Sequence, residues 1–140
     1  EVTIPRPVAD VAAYAADPSN APEWYANISS VEWETAPAVT VGSRVAFVAR
    51  FLGRRLSYTY EIVEYVPEQR LVMRTAQGPF PMETTYVWQP VPDGTRMTLR
   101  NHGEPSGFGA IAAPVMSAAM RRANEKDLAA LSAVIQGRRL

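Results

Sequence analysis

The sequence predicts an α+β domain: a seven-stranded antiparallel sheet wrapped around a long C-terminal helix, with two short helices after the first strand. Three observations carry that prediction. From Arg44 onward, apolar and polar residues alternate with the strand period of two for about sixty residues. The stretch 108–136 instead places apolar residues at three- and four-residue steps, as one long amphipathic helix does. Before Arg44, two short helical patterns are separated by Asp17-Pro18, a helix breaker.

Taken in order, Val2 to Ile4 reads as a short strand ended by Pro5 and Pro7. Val8 to Ala16 puts Val8, Val11, Ala12 and Ala15 on one side of a helix, and Pro7 suits its start, where a missing N–H costs nothing. A second short helix is expected over Asn20 to Asn27, carrying Trp24 and Tyr25, followed by a strand over Val31 to Thr35. Val45, Phe47, Ala49 and Phe51 then share one face of a strand, with Arg44 and Arg50 on the other. Gly53-Arg54-Arg55 turns the chain into a strand with Leu56, Tyr58, Tyr60 and Ile62 facing inward. Pro67 to Arg70 turns it again, ahead of Leu71, Met73 and Thr75. Beyond Gly78-Pro79, Met82, Thr84, Tyr86 and Trp88 oppose Glu83, Thr85 and Gln89. Pro92-Asp93-Gly94 is a strong turn signal, and Met97, Leu99 and Asn101 follow inward, against Arg96, Thr98, Arg100 and His102 outward.

Phe108 to Gln136 reads as a single helix of roughly 40 Å, with Gly137 as its stop. Met116, Met120, Asn124, Leu128, Leu131 and Ile135 form its stripe, and Pro114 should kink it or set a new first turn. Short connections between consecutive strands favour antiparallel neighbours. The helix stripe then has one place to go, the concave face of the sheet. Cystatin-like folds place their long helix before the sheet, and a lipocalin lacks the two early helices, so neither fits.

With 140 residues and no linker or repeat, one domain is expected over 1–140. Fourteen basic residues balance fourteen acidic ones, which excludes the basic excess of a nucleic-acid binder. The absence of cysteine removes disulfides and thiolate metal sites, and a single histidine leaves no histidine metal centre, so neither metal nor cofactor is expected. No apolar run approaches the roughly 20 residues that span a bilayer, and no signal peptide is visible, so a cytoplasmic protein without integral membrane association is expected. Because the sequence opens on Glu1, a few upstream residues are expected to be missing.

Three stretches resemble a known family: IPRPVADVAAYAADPSNAPEWYANI at 4–28, YEIVEYVPEQRLVMRTAQGPFPMETTYVWQPVPDGTRMTLRNHGEP at 60–105, and RRANEKDLAALSAVI at 121–135. They are similar to the START-like (SRPBCC) superfamily, and specifically to small bacterial polyketide cyclase/dehydrase domains of helix-grip fold. The resemblance implies a cavity between sheet and C-terminal helix, opening among the early helices and the strand-joining loops. Relatives of this kind carry lipids and sterols, sense plant hormones or cyclise polyketides. The superfamily keeps its architecture while exchanging ligands, and no shared catalytic motif transfers to this chain.

The candidate ligand-binding residues follow from the inward faces. Phe47, Phe51, Tyr58, Tyr60, Met73, Met82, Tyr86, Trp88, Met97, Met116 and Met120 combine adaptable thioethers with rigid rings, and read either as a cavity wall or as plain core. Leu99 belongs with them. Thr75, Thr84 and Asn101 are polar residues on the same faces and each needs a partner once buried; for Asn101 the backbone around Pro105 to Gly107 is one. Trp24 either packs the small helices or lines the site, and Trp33 could line the entrance. Arg121, one step from Met120, either reaches the cavity rim or snorkels to solvent. His102 with Glu104 is the only pair resembling acid–base machinery, and alternation puts His102 outside.

The leading expectation is therefore a binder or carrier of a small hydrophobic or aromatic molecule, lipid-, quinone- or polyketide-like, in a cavity of several hundred Å3. A cyclase/dehydrase-like enzyme is the alternative, with Tyr58, Tyr60 or Tyr86 acting beside Arg121 or Asn101. A stress-response or protein-interaction module without ligand is the second alternative, and homodimerisation is compatible with all three.

Overall fold

The computed structural model describes residues 1–51, 53–78, 81–103 and 113–137. Along the chain run β1 (Val2–Ile4), α1 (Val8–Ala16), a 3-10 turn (Pro18–Asn20), α2 (Ala21–Trp24), β2 (Ile28–Trp33), β3 (Arg44–Phe51), β4 (Arg54–Val66), β5 (Arg70–Gln77), β6 (Met82–Val91), β7 (Gly94–Gly103) and α3 (Ala113–Gly137). The seven strands form one sheet in the order β1-β7-β6-β5-β4-β3-β2. Strands β2 to β7 are a simple antiparallel meander. β1 pairs instead with β7, so the segment holding α1 and α2 carries the chain from one edge of the sheet to the other.

Several boundaries differ from those the sequence suggested, each for a local reason. Asp17 accepts a bond from the Ser19 N–H and starts a 3-10 turn, which takes up the first residues of the expected second helix. Tyr25 is already extended (φ −82°, ψ 112°), so α2 is a single turn rather than a run from Asn20 to Asn27. The following strand begins at Ile28, three residues earlier than expected, and an irregularity between Ile28 and Ser30 shifts its register against β3. A bulge of this kind adds a residue without breaking the pairing, and it blurs the alternation that would have revealed Ile28.

The inward faces line up through the register. Phe47 pairs with Tyr58, Val45 with Tyr60, Tyr60 with Thr75, Met73 with Thr84, Thr84 with Asn101, and Tyr86 with Leu99. Directly paired residues share a face, so these side chains form one continuous concave surface. On the opposite face, Arg44–Glu61, Arg70–Glu64 and Arg74–Glu83 are exposed ion pairs, each contributing at most about 1 kcal/mol. Gly94 in the β6–β7 turn has φ +140°, and a Cβ there would overlap the Ile4 carbonyl. Only glycine lets β1 close onto the turn.

The described part of α3 spans 25 residues, or about 38 Å. Pro114 is the second residue of the described helix. The expected start at Phe108 lies outside the described residues, as do Glu104 and the Pro105–Gly107 segment. Leu128, Leu131 and Ile135 are fully or almost fully buried, and α3 packs on α1, α2, β1 and β7. Its C-terminal turns close one end of the interior together with Ile4, Val11 and Met97, all at 0% exposure. The Arg6 guanidinium donates to the Gln136 carbonyl across this end at 3.0 Å.

Candidate ligand cavity

At the other end of the interior the side chains do not meet. A cavity of about 140 Å3 remains between the sheet and the middle of α3. That is smaller than the several hundred Å3 expected, because rings project into the space. Phe47, Tyr58 and Tyr60 cluster with centroids 5.0 to 5.8 Å apart. Met73, Met82, Ala49 and Leu56 complete the sheet side, Met120 and Ala123 the helix side, and Ala15, Ala16 and Ala21 the end nearest the short helices. Small residues on α1 and α2 let these helices approach without filling the gap. Exposed Arg50 and His102 lie at its mouth.

The polar groups of the wall form a connected set. Thr84 Oγ1 donates to Asn101 Oδ1 at 2.6 Å, and Asn101 Nδ2 donates to Asn124 Oδ1 at 2.8 Å. A threonine hydroxyl has one proton, so Tyr60 must be the donor in its 2.8 Å bond to Thr84. The chain therefore runs Tyr60, Thr84, Asn101, Asn124, from the sheet to α3. A second pair, the hydroxyls of Tyr25 and Tyr86, lies at 2.6 Å. Asp127 Oδ1 accepts the Ala26 N–H at 3.1 Å, tying α3 to the α2–β2 loop. Asn101 thus takes Thr84 and Asn124 as partners.

Electrostatics follows burial. Burial pushes the Tyr60 phenol up to about 12, and raises Tyr25, Tyr58 and Tyr86 well above their ordinary range. All four are neutral donors at physiological pH. Burial also raises the Asp127 carboxyl, opposed by the Ala26 N–H and the charge of Lys126.

Of the residues singled out from sequence, Phe47, Tyr58, Tyr60, Met73, Met82, Thr84, Tyr86, Asn101 and Met120 line this cavity. The rest that the structure describes lie elsewhere. Trp24 is 2% exposed and stacks on Tyr25 at 4.0 Å, so it backs the wall from behind. Trp88 is equally buried, 6.0 Å from Tyr86. Neither indole N–H finds a hydrogen-bond partner among the described residues. Met97 and Leu99 share the concave face, yet they sit toward its filled end, a difference of depth that alternation does not encode. Trp33 donates to Ser19 Oγ at 3.0 Å, fastening β2 to the 3-10 turn, and is not among the wall residues. Thr75 Oγ1 bonds the Met82 backbone N–H and carbonyl. Arg121 is exposed and outside the wall, because one residue along a helix is a 100° turn away from Met120. The side chains of Phe51 and Met116 lie outside the described residues.

Among the wall residues that the sequence reading did not assign to the site are Asp127 and Tyr25. Asp127 falls three residues after Asn124 and one before Leu128, on the inward stripe of α3, and a carboxylate on that stripe was the available signal. Tyr25 had none, since the helix ends at Trp24 and the periodicity with it. Among the described residues no cluster of His, Asp or Glu could hold a metal ion, and no helix is long and apolar enough to cross a membrane.

A family model described as "Polyketide cyclase / dehydrase and lipid transport" matches residues 1–136. The chain belongs to that family. Solved structures with the same helix-grip fold include TTHA0849 from Thermus thermophilus, with 24% identity over 96% of this chain and 93% of that one, at a TM-score of 0.79. A START superfamily protein from Mycobacterium smegmatis has 12% identity over 96% of this chain and 93% of that one, at a TM-score of 0.76. Ginseng major latex-like protein 151 from Panax ginseng has 14% identity over 94% and 91%, at 0.71. At these identities the likeness is one of fold. Among curated proteins no sequence matches significantly. Membership supports hydrophobic-ligand binding in general terms.

Proposed function

We propose that this protein binds a small, ring-sized hydrophobic molecule in the cavity between sheet and α3. The observation that carries the reading is the mismatch inside one core: packed solid at one end, empty over about 140 Å3 at the other. An apolar cavity of about 150 Å3 can take up benzene, so the space suits one ring and little more. Most polar atoms of the wall already bond one another, so an apolar guest displaces no essential partner.

A cyclase/dehydrase-like reaction would need a tyrosine acid near neutral pH, beside a cation. Burial moves the cavity phenols the other way, Arg121 stands outside the wall, and Arg50 is exposed at the mouth. An interaction module without ligand would show a filled interior and a contiguous apolar patch. The large hydrophobic residues exposed among those described are only Val41 and Val66. Residence in the cytoplasm, a lack of nucleic-acid partners and homodimerisation belong to the same reading as proposals, the second of them supported by balanced charge. Native mass spectrometry of protein purified from its own host tests the reading. A co-purifying small hydrophobic compound is expected. Clean apoprotein that also shows no thermal shift with any member of a panel of single-ring compounds would contradict it.

A further inference from the structure

Asp127 is 4% exposed, lies in the cavity wall, and is the one carboxylate among the described wall residues. Its Oδ1 takes the Ala26 N–H, while Oδ2 accepts no hydrogen bond from the described residues. A buried carboxylate is costly unless it is paired. Here no salt bridge among the described residues offsets that cost, although Lys126 acts on it at longer range.

Other acceptors lie on the same wall. Asn124, three residues earlier on α3, shares its helix face, and its Oδ1 has taken only one of two possible bonds, from Asn101. The Tyr25–Tyr86 hydroxyl pair keeps free lone pairs, and Asp127 is near enough for its charge to act on Tyr86. The rings of Phe47, Tyr58 and Tyr60 border the same space, and the faces of such rings attract cations.

We propose that this end of the cavity receives a primary ammonium group, so that the preferred ligand is a small amine carrying one ring. The proposal rests on the cavity-binding reading above and narrows its ligand class. An ammonium offers three N–H donors. Asp127 Oδ2, Asn124 Oδ1 and a phenol oxygen of the tyrosine pair are matching acceptors, and the first bond is charge-assisted. A ligand carbonyl has no donor to give these groups, and a ligand carboxylate is repelled by Asp127.

The test is titration calorimetry of the full chain at neutral pH with toluene, benzyl alcohol, benzylamine and benzoate, repeated on Asp127→Asn. Benzylamine is expected to bind about tenfold or more tighter than toluene, the worth of one charge-assisted bond, with benzoate weakest. In Asp127→Asn the benzylamine-to-toluene ratio should fall to about one, since an amide keeps the shape and loses the charge. Should that variant not fold, the ranking in the wild-type protein decides alone. Toluene equal to benzylamine, or benzoate binding best, overturns the ammonium site and leaves the cavity reading standing. No binding by any of the four overturns both.

Discussion

The interior of this domain is two regions made from the same elements. Where the last turns of α3 meet β1 and the start of β7, Ile4, Met97, Leu131 and Ile135 have no exposure at all. Two turns earlier on the same helix, Met120, Ala123 and Asn124 face Tyr58, Tyr60 and Met82 across unfilled space. Both regions use apolar and aromatic residues on inward faces, so composition does not separate them. The difference lies in what comes between helix and sheet. At the closed end β1 and α1 are wedged in, pinned by Gly94 beneath Ile4 and by Arg6 on Gln136. At the open end α1 and α2 contribute alanines to the wall, joined by Pro18 and Tyr25 beside them. On the proposed reading, stability and binding therefore rest on different residues of one core.

That separation should appear first in mutant stability. Leu131→Ala removes a fully buried side chain from the closed end and should cost about 2–5 kcal/mol in urea unfolding. Met120→Ala, bordering space already empty, should cost no more than about 1 kcal/mol. Equal losses would mean that the two ends are one packed core.

A smaller effect separates the regions by pH. Tyrosine is neutral when protonated, and the folded chain holds the proton of Tyr60 up to about 12, against about 10 when unfolded. The unfolded state therefore ionises first, and stability is unaffected at neutral pH but falls as pH rises from about 10 to about 12. For Tyr60 alone the loss at pH 11 should be about 1 kcal/mol, and Tyr60→Phe should show that much less alkaline sensitivity in unfolding curves. An identical pH profile in the variant would remove Tyr60 from the buried wall.

Much of this was written legibly in the sequence. Alternation gave six of the strands and their inward faces, and the stripe from Met120 to Ile135 gave α3. Period two reports which face a residue occupies but not how far along the strand the interior is filled. Trp88, Met97 and Leu99 were therefore indistinguishable from Tyr58 and Met82 until β1 and α1 were in place. Asp127 was hidden for another reason: charge on a helix is ordinarily read as its solvent face, and only its step from Asn124 argued otherwise. Tyr25 depends on where a one-turn helix stops, and that stop, where the Tyr25 N–H bonds the Ala21 carbonyl and its backbone turns extended, leaves no periodicity to read.

On the proposed reading one end of this core is hollow and takes up a ligand while the other is closed. Methionine methyl groups report on both ends at once: Met73, Met82 and Met120 line the cavity, and Met97 sits in the closed end. Adding toluene while recording methyl carbon–proton spectra should move the first three resonances and leave that of Met97 in place. A shift of Met97 as large as theirs, or no shift of any of the four, would contradict the account.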